Sequence, residues 1–168
     1  MSREVFHEIR SAGVSFTSDE WSEYLRRCRE GESQRIVTQI GRYDFNDCDV
    51  CLNPEVLTIA AKTGSYGYQV TLKWAECRNG IWSYAVDYNC GTGGGGSGVH
   101  YADTLEGKSW MRGYPSEREA QQAACDEAIR QVRTVRDGKS VLGDRLVQMI
   151  EDYQKTISRP KIVELSLF

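Results

Sequence analysis

The sequence predicts an α+β fold, an antiparallel sheet of three to four strands covered by helices, with helices at both ends of the chain. Three observations carry that prediction. Tyr68 to Cys77 and Ile81 to Asn89 alternate apolar and polar side chains around Asn79-Gly80, the pattern of a β-hairpin. The stretches from Pro115 to Val132 and from Leu142 to Tyr153 repeat apolar residues at helical spacing. Ahead of them all, residues 2–31 carry two helix-capping signals followed by apolar stripes. Residues 1–160 read as a single α+β domain, and residues 161–168 as an extended tail or a terminal strand.

Ser2 caps an expected first helix running to about Ser11, with Val5, Phe6 and Ile9 on its apolar side and Gly13 interrupting it. Thr17-Ser18-Asp19-Glu20 forms a capping box that opens a second helix through Trp21, Tyr24, Leu25 and Cys28, stopping near Gly31. Residues 34–53 fit either strand or helix at Ile36, Val37 and Ile40, and Asp44, Asp47 and Asp49 read as a solvated acidic loop. Val56-Leu57-Thr58-Ile59 is rich in strand formers, although Asn53-Pro54 is equally a helix start.

The register of the hairpin follows from its faces. A two-residue Asn79-Gly80 turn sets Trp74 opposite Ala85 and scatters apolar residues over both faces. A three-residue turn, Arg78-Asn79-Gly80 with Gly80 left-handed, pairs Cys77 with Ile81. It then sets Trp74 opposite Tyr84, Leu72 opposite Val86 and Val70 opposite Tyr88. The second register gathers the large apolar residues on one face and is the expected one. Helices need a surface to cover, so that face reads as core more than as a base-stacking platform. The other face, with Thr71, Lys73, Ala75, Ser83, Ala85 and Asp87, reads as solvent-facing.

The run Gly91-Thr92-Gly93-Gly94-Gly95-Gly96-Ser97-Gly98 contains the spacing Gly91-x-Gly93-x-x-Gly96, but no helix opens after it to aim amides at a phosphate. A mobile hairpin loop or a linker is the expectation there. Pro115-Ser116-Glu117 then starts a helix whose stripe is Ala120, Ala123, Ala124, Ala128 and Val132, small enough for close approach to a sheet. A last helix carries Leu142, Leu146, Met149, Ile150 and Tyr153, and Pro160 blocks its continuation.

Composition narrows the function classes. The chain has 168 residues, 40% hydrophobic and 27% charged, which suits a folded domain with its own core. It shows no 18-residue apolar run and no basic-then-apolar leader, so the expectation is a cytoplasmic protein with no membrane partner. A net charge of −3 supplies neither attraction to nucleic acid nor the density of carboxylates that a DNA mimic needs. Two histidines, His7 and His100, leave no conventional Ser-His-Asp or Cys-His pairing.

Of the six cysteines, Cys48-Asp49-Val50-Cys51 has the spacing of half a zinc site. Cys77 and Cys90 are the candidates for the other half, so structural zinc is weighed against plain thiols. Arg26, Arg27 and Arg29, and Arg130 with Arg133, form two basic clusters at helical spacing that fit phosphate contacts, though acidic neighbours dilute both. The helix–three-strand–helix order is loosely similar to that of double-stranded RNA-binding domains. Their basic start of the closing helix is replaced here by Glu117-Arg118-Glu119.

Glu164-Leu165-Ser166-Leu167-Phe168 resembles the short motif, usually Gln-Leu-Ser/Asp-Leu-Phe, by which bacterial replication, repair and mobile-element proteins dock on the replicative sliding clamp. Four of five positions fit, and Glu164 stands where glutamine is usual. The resemblance implies a non-enzymatic accessory protein of a phage or mobile element, with Leu165, Leu167 and Phe168 as apolar anchors in a preformed cleft. The same residues alternate, with Val163, Leu165 and Leu167 on one side, as a half-buried strand does. In that case the expectation becomes an inhibitor of a host defence nuclease, or a binder of another host protein, acting through other surfaces.

Overall fold

The computed structural model describes residues 36–46, 48–64, 66–106, 112–135 and 140–158. The helices expected over residues 2–11 and 17–31 lie outside the described residues, as do Cys28, Asp47 and residues 161–168. The chain divides into two compact units, Met1–Asn53 and Pro54–Phe168, each described by itself.

In the first unit, the ambiguous stretch resolves into strands. β1 (Ile36–Ile40) pairs antiparallel with β2 (Tyr43–Asn46) across the turn Gly41-Arg42, where Gly41 adopts φ 57°, a left-handed conformation that costs glycine little. Tyr43 and Phe45 are buried. After β2 the chain turns back at once: Phe45 and Cys51 form an antiparallel bridge, and Leu52 N donates to Asp44 O at 2.8 Å.

The second unit holds the main sheet. Its strands are β3 (Glu55–Thr63), β4 (Tyr66–Glu76), β5 (Trp82–Cys90) and β6 (Gly93–Gly95), all antiparallel neighbours in the order β3-β4-β5-β6. The hairpin register is the three-residue one: Trp74 faces Tyr84, Leu72 faces Val86 and Val70 faces Tyr88. Cys77 N donates to Ile81 O at 2.6 Å, closing the turn. Both Asn79 (φ 64°) and Gly80 (φ 72°) are left-handed there, a conformation for which Asn and Gly are the best-suited residues.

Two helices cover one face. α1 (Glu117–Thr134) begins at Ser116, whose hydroxyl accepts from Glu119 N, and packs over β4 and β5. Its small stripe is the reason it lies close: Ala120, Ala124, Ala128 and Val132 are fully buried, whereas Ala123 is only partly so. α2 (Val141–Ser158) packs over β3 and β4 and buries Leu146, Val147 and Ile150. Met149, expected on its buried side, is 37% exposed instead, because the helix turns Val147 inward.

Two expectations are corrected. Part of the glycine run expected as a loop is strand: Gly93–Gly95 is β6, paired with Tyr88, Asn89 and Cys90. A Cβ on Gly93 would stand 2.7 Å from a Val135 methyl, and one on Gly95 would stand 3.1 Å from the Tyr88 ring. Glycine is needed there for close approach. The face opposite the helices is also not simply solvent-facing, since Ala75, Ser83 and Ala85 are buried. Residues 97–102 account for this. Ser97 O accepts from Lys73 Nζ, Ser97 N donates to Asp87, and Ala102 N donates to Cys77 Sγ. Val99, Tyr101 and Ala102 are buried along that path.

Candidate functional site

The expected docking residues Glu164, Leu165, Ser166, Leu167 and Phe168 lie outside the described residues, and the last residue described ahead of them is Ser158. α2 ends at Ser158, and α1 holds that end. Arg118 donates a guanidinium hydrogen bond to Ser158 O, and Gln122 Nε2 donates to Ser158 Oγ at 3.0 Å. One turn earlier, Gln154 Nε2 donates to Asp126 Oδ1 at 2.8 Å. These bonds satisfy carbonyl and hydroxyl groups that a helix end leaves orphaned.

The aromatic face of the sheet is core. Tyr68 and Trp74 are buried, Trp82, Tyr84 and Tyr88 pack partly buried against the same cluster, and Trp74 Nε1 donates to Glu117 Oε1 at 2.9 Å. Burial pushes the Tyr84 phenol well up, the neighbouring Tyr114 adding to the effect. With α1 and α2 over it, this face offers no stacking surface to bases. Glu117 and Glu119, which replace the basic start seen in RNA-binding domains, have structural partners: Glu117 serves Trp74, and the Glu119 amide is held by the Ser116 cap.

Of the basic residues, Arg26, Arg27 and Arg29 lie outside the described residues. Arg130 and Arg133 are exposed on α1, one turn apart. Arg130 is engaged in a two-pronged contact with Glu127, through Nε at 2.9 Å and a terminal nitrogen at 2.5 Å. Burial alone would raise the Glu127 carboxyl. The hydrogen bonds from Arg130 and Gln131, with the Arg130 charge, outweigh burial and hold it below its usual range. A phosphate would have to displace this carboxylate to win Arg130.

The four candidate zinc thiolates are not brought to one point. Cys77 stands opposite Ile81 at the turn of the hairpin, while Cys90 ends β5 nine residues on. At about 3.3 Å per residue, that separation is about 30 Å, so Cys77 and Cys90 do not share an ion. Among the described residues, no group of three or more His, Cys, Asp or Glu side chains is placed to hold a metal.

Cys48 and Cys51 sit in a tight turn of the first unit that the sequence signalled only through its asparagines. Asn46 Oδ1 accepts from Cys48 N and from Val50 N, both at 2.9 Å, and Asn53 Oδ1 accepts from Asp44 N at 2.7 Å. Such side-chain acceptors mimic a backbone turn. Burial pushes the Cys51 thiol up to about 11, against a smaller lowering by the Asn53 hydrogen bond. Thiolate chemistry is therefore disfavoured there. Asp44 and Asp49, expected in a solvated loop, are placed otherwise. Asp44 lies on β2 and accepts from Gln39 and Asn53, and Asp49 is buried at φ 59°.

No family model, no curated protein and no solved structure matches the chain. No helix among the described residues is long and apolar enough to cross a membrane. Among the described residues the geometry offers an anchored helix end at Ser158, and the docking pattern is a feature of the sequence.

Proposed function

We propose that this chain is a non-enzymatic accessory protein of a bacterial phage or mobile element, recruited to the replicative sliding clamp through Glu164–Phe168. Once recruited, it modulates DNA replication, repair or host defence by binding, in the cytoplasm and without a cofactor. The single observation that carries the reading is the sequence Glu164-Leu165-Ser166-Leu167-Phe168. The anchoring of Ser158 by Arg118 and Gln122 supports it, since a tether needs a fixed base. Affinity comes from burying Leu165, Leu167 and Phe168, at about 25 cal/mol per Å² of apolar area, less the cost of ordering the segment.

The test is binding of the intact protein to a purified bacterial sliding clamp, beside a Leu167→Ala/Phe168→Ala variant. Binding that the variant loses, with an unchanged melting temperature, supports the tether. Absence of binding by the intact protein overturns it. Glu164→Gln restores the amide donor usual at this position and tightens docking by roughly two- to tenfold, the worth of one net hydrogen bond.

A second reading is favoured by a specific observation, the edge of β3, which no strand pairs among the described residues. On that reading the protein is an inhibitor of a host defence nuclease, or of another host protein, and residues 161–168 serve as a strand.

A further inference from the structure

We infer that the chain pairs with a second copy of itself along β3. The two β3 edges join antiparallel across a two-fold axis at Ile59, and the two α2 helices meet above them. The surface lies wholly in the second unit and uses no residue beyond α2, so it stands or falls apart from clamp docking.

The phase of the edge follows from the β4–β5 hairpin. Cys77 N donates to Ile81 O, and Trp82, on the far side of β5, exchanges both its backbone bonds with Tyr114. Odd-numbered residues of β5 therefore turn their backbone groups to β4, and even-numbered ones turn away. Carried through the register, Trp74, Leu72, Val70 and Tyr68 of β4 bond Glu55, Leu57, Ile59 and Ala61 of β3. The N–H and C=O groups of Val56, Thr58, Ala60 and Lys62 consequently point outward. Among the described residues no strand pairs with them, and the side chains of Val56, Thr58 and Lys62 are exposed.

Such an edge complements itself. With Ile59 opposite its own copy, Val56 faces Lys62, Thr58 faces Ala60 and Leu57 faces Ala61. The outward groups then oppose one another in hydrogen-bonded pairs, which makes about eight new backbone bonds. The strand holds no proline, and its register with β4 runs without a bulge. Its charged residues, Glu55 and Lys62, lie at opposite ends, so antiparallel pairing opposes no like charges.

The helix above the edge completes the surface. Ser140, just ahead of α2, donates to the Tyr68 hydroxyl at 3.4 Å, and Tyr68 faces Ala61. At the other end, Arg118 and Gln122 hold Ser158, while Glu117 beside them accepts from Trp74, which faces Glu55. α2 therefore runs antiparallel to β3, and Met149, at its midpoint, stands level with the middle of the strand. Gln154 turns toward α1 to reach Asp126. Five residues are about 1.4 turns, so Met149 lies on the side away from α1. Because α1 covers β4 and β5 while α2 covers β3 and β4, that side overhangs the β3 edge, and Met149 is 37% exposed there.

Across the axis, the two α2 helices stand two strand spacings apart, about 10 Å, a distance at which helices pack. The edge is about 30 Å long and, with the helix on it, about 20 Å deep. It offers each copy about 600 Å², the lower end of what a specific dimer buries. The dimer is accordingly one that forms and dissociates with concentration.

Sedimentation of the full chain is the first test. The apparent mass should rise from 19.0 kDa toward twice that value between about 1 μM and 1 mM, and the mass of one chain throughout overturns the inference. Val56→Glu and Val56→Lys test the register, since each sets its new charge opposite the partner's Lys62. Two such pairs per dimer make the glutamate variant associate more tightly than the lysine variant, by roughly tenfold at low salt, and high salt narrows the gap. Overall repulsion acts the other way, because the chain already carries a net charge of −3. Equal affinities, or the reverse order, overturn the pairing. A mixture of isotope-labelled and unlabelled chains reads the axis directly. Ile59 opposite its own copy is a non-hydrogen-bonded pair, which brings the two Hα atoms into nuclear Overhauser contact, and a dimer without that contact overturns the inference.

Discussion

The two edges of the main sheet are built on opposite principles. At the β6 edge the strand has only three residues, all glycine, and is sealed from above by Val135 and beside it by the Tyr88 ring. At the β3 edge the strand has nine residues, no glycine, and side chains such as Val56 that are 57% exposed. One edge is too short and too crowded to accept a partner, and the other is regular and, among the described residues, unpaired. Closure at β6 thus comes from packing, while β3 keeps the backbone geometry that a further strand requires.

The largest expected effect comes at alkaline pH. Cys125, on α1 over the β5 side, is fully buried, and burial, with Asp126 nearby, pushes its thiol up to about 12 from an ordinary 9.0. Cys51 is pushed up to about 11 by burial. A raised thiol pKa means that the folded state keeps a proton the unfolded chain has lost. Stability is therefore intact below about pH 9 and falls as pH rises from there toward the folded values. Each unit of separation is worth about 1.4 kcal/mol, so the loss from Cys125 is on the order of a few kcal/mol. Urea midpoints at pH 8 and pH 10.5 measure it, and a Cys125→Ala variant should show a shallower decline. An unchanged decline would mean that Cys125 is not the group responsible.

Next in size is the closed edge itself. In Gly93→Val the new Cβ would meet Val135 carbon atoms at 2.7 and 2.9 Å, and overpacking of this kind costs about 1–3 kcal/mol. A lowered melting temperature with secondary structure intact is the expected reading. Recovery in the double variant with Val135→Ala would show that the clash, and not the strand, carries the cost. Smaller again is the pin that holds residues 97–102 on the second face. Lys73 and Asp87 are paired at 2.5 Å and both contact Ser97. Asp87→Ala removes one half-exposed ion pair and one hydrogen bond, a loss of about 1 kcal/mol that shrinks in high salt.

These contrasts show which parts of the molecule were legible in the sequence. The hairpin register was, because only one turn length gathers Trp74, Leu72 and Val70 on the face of Tyr84, Val86 and Tyr88. The α1 stripe was also legible, since Ala120, Ala124, Ala128 and Val132 recur at every fourth residue. The glycine run was misread, because composition reports freedom in the unfolded chain, whereas close approach by Val135 and Tyr88 is a tertiary fact. The second face misled for a similar reason. Ala75, Ser83 and Ala85 are small and weakly polar, and nothing local says that residues 97–102 return over them. The grouping of Cys77 with Cys90 failed on strand length alone. For the candidate site, the docking pattern and Pro160 fall outside the described residues, while the capture of Ser158 by α1 was not legible because it depends on two helices meeting.

The smallest expected effect is the sharpest test of the open edge. Val56 lies near the start of β3 with most of its side chain in solvent, so Val56→Lys should change stability by no more than about 0.5 kcal/mol. A lysine on an unguarded edge strand also discourages edge-to-edge pairing between molecules. The variant should thus keep the parent melting temperature while scattering less light on prolonged heating at high protein concentration. A loss above about 1 kcal/mol would mean that the outer part of β3 is already covered, since exposed sites rarely cost so much. The asymmetry between the edges would then be one of composition and not of access. Equal stability with reduced association would instead leave β3 as the one long edge, among the described residues, at which the fold can be extended.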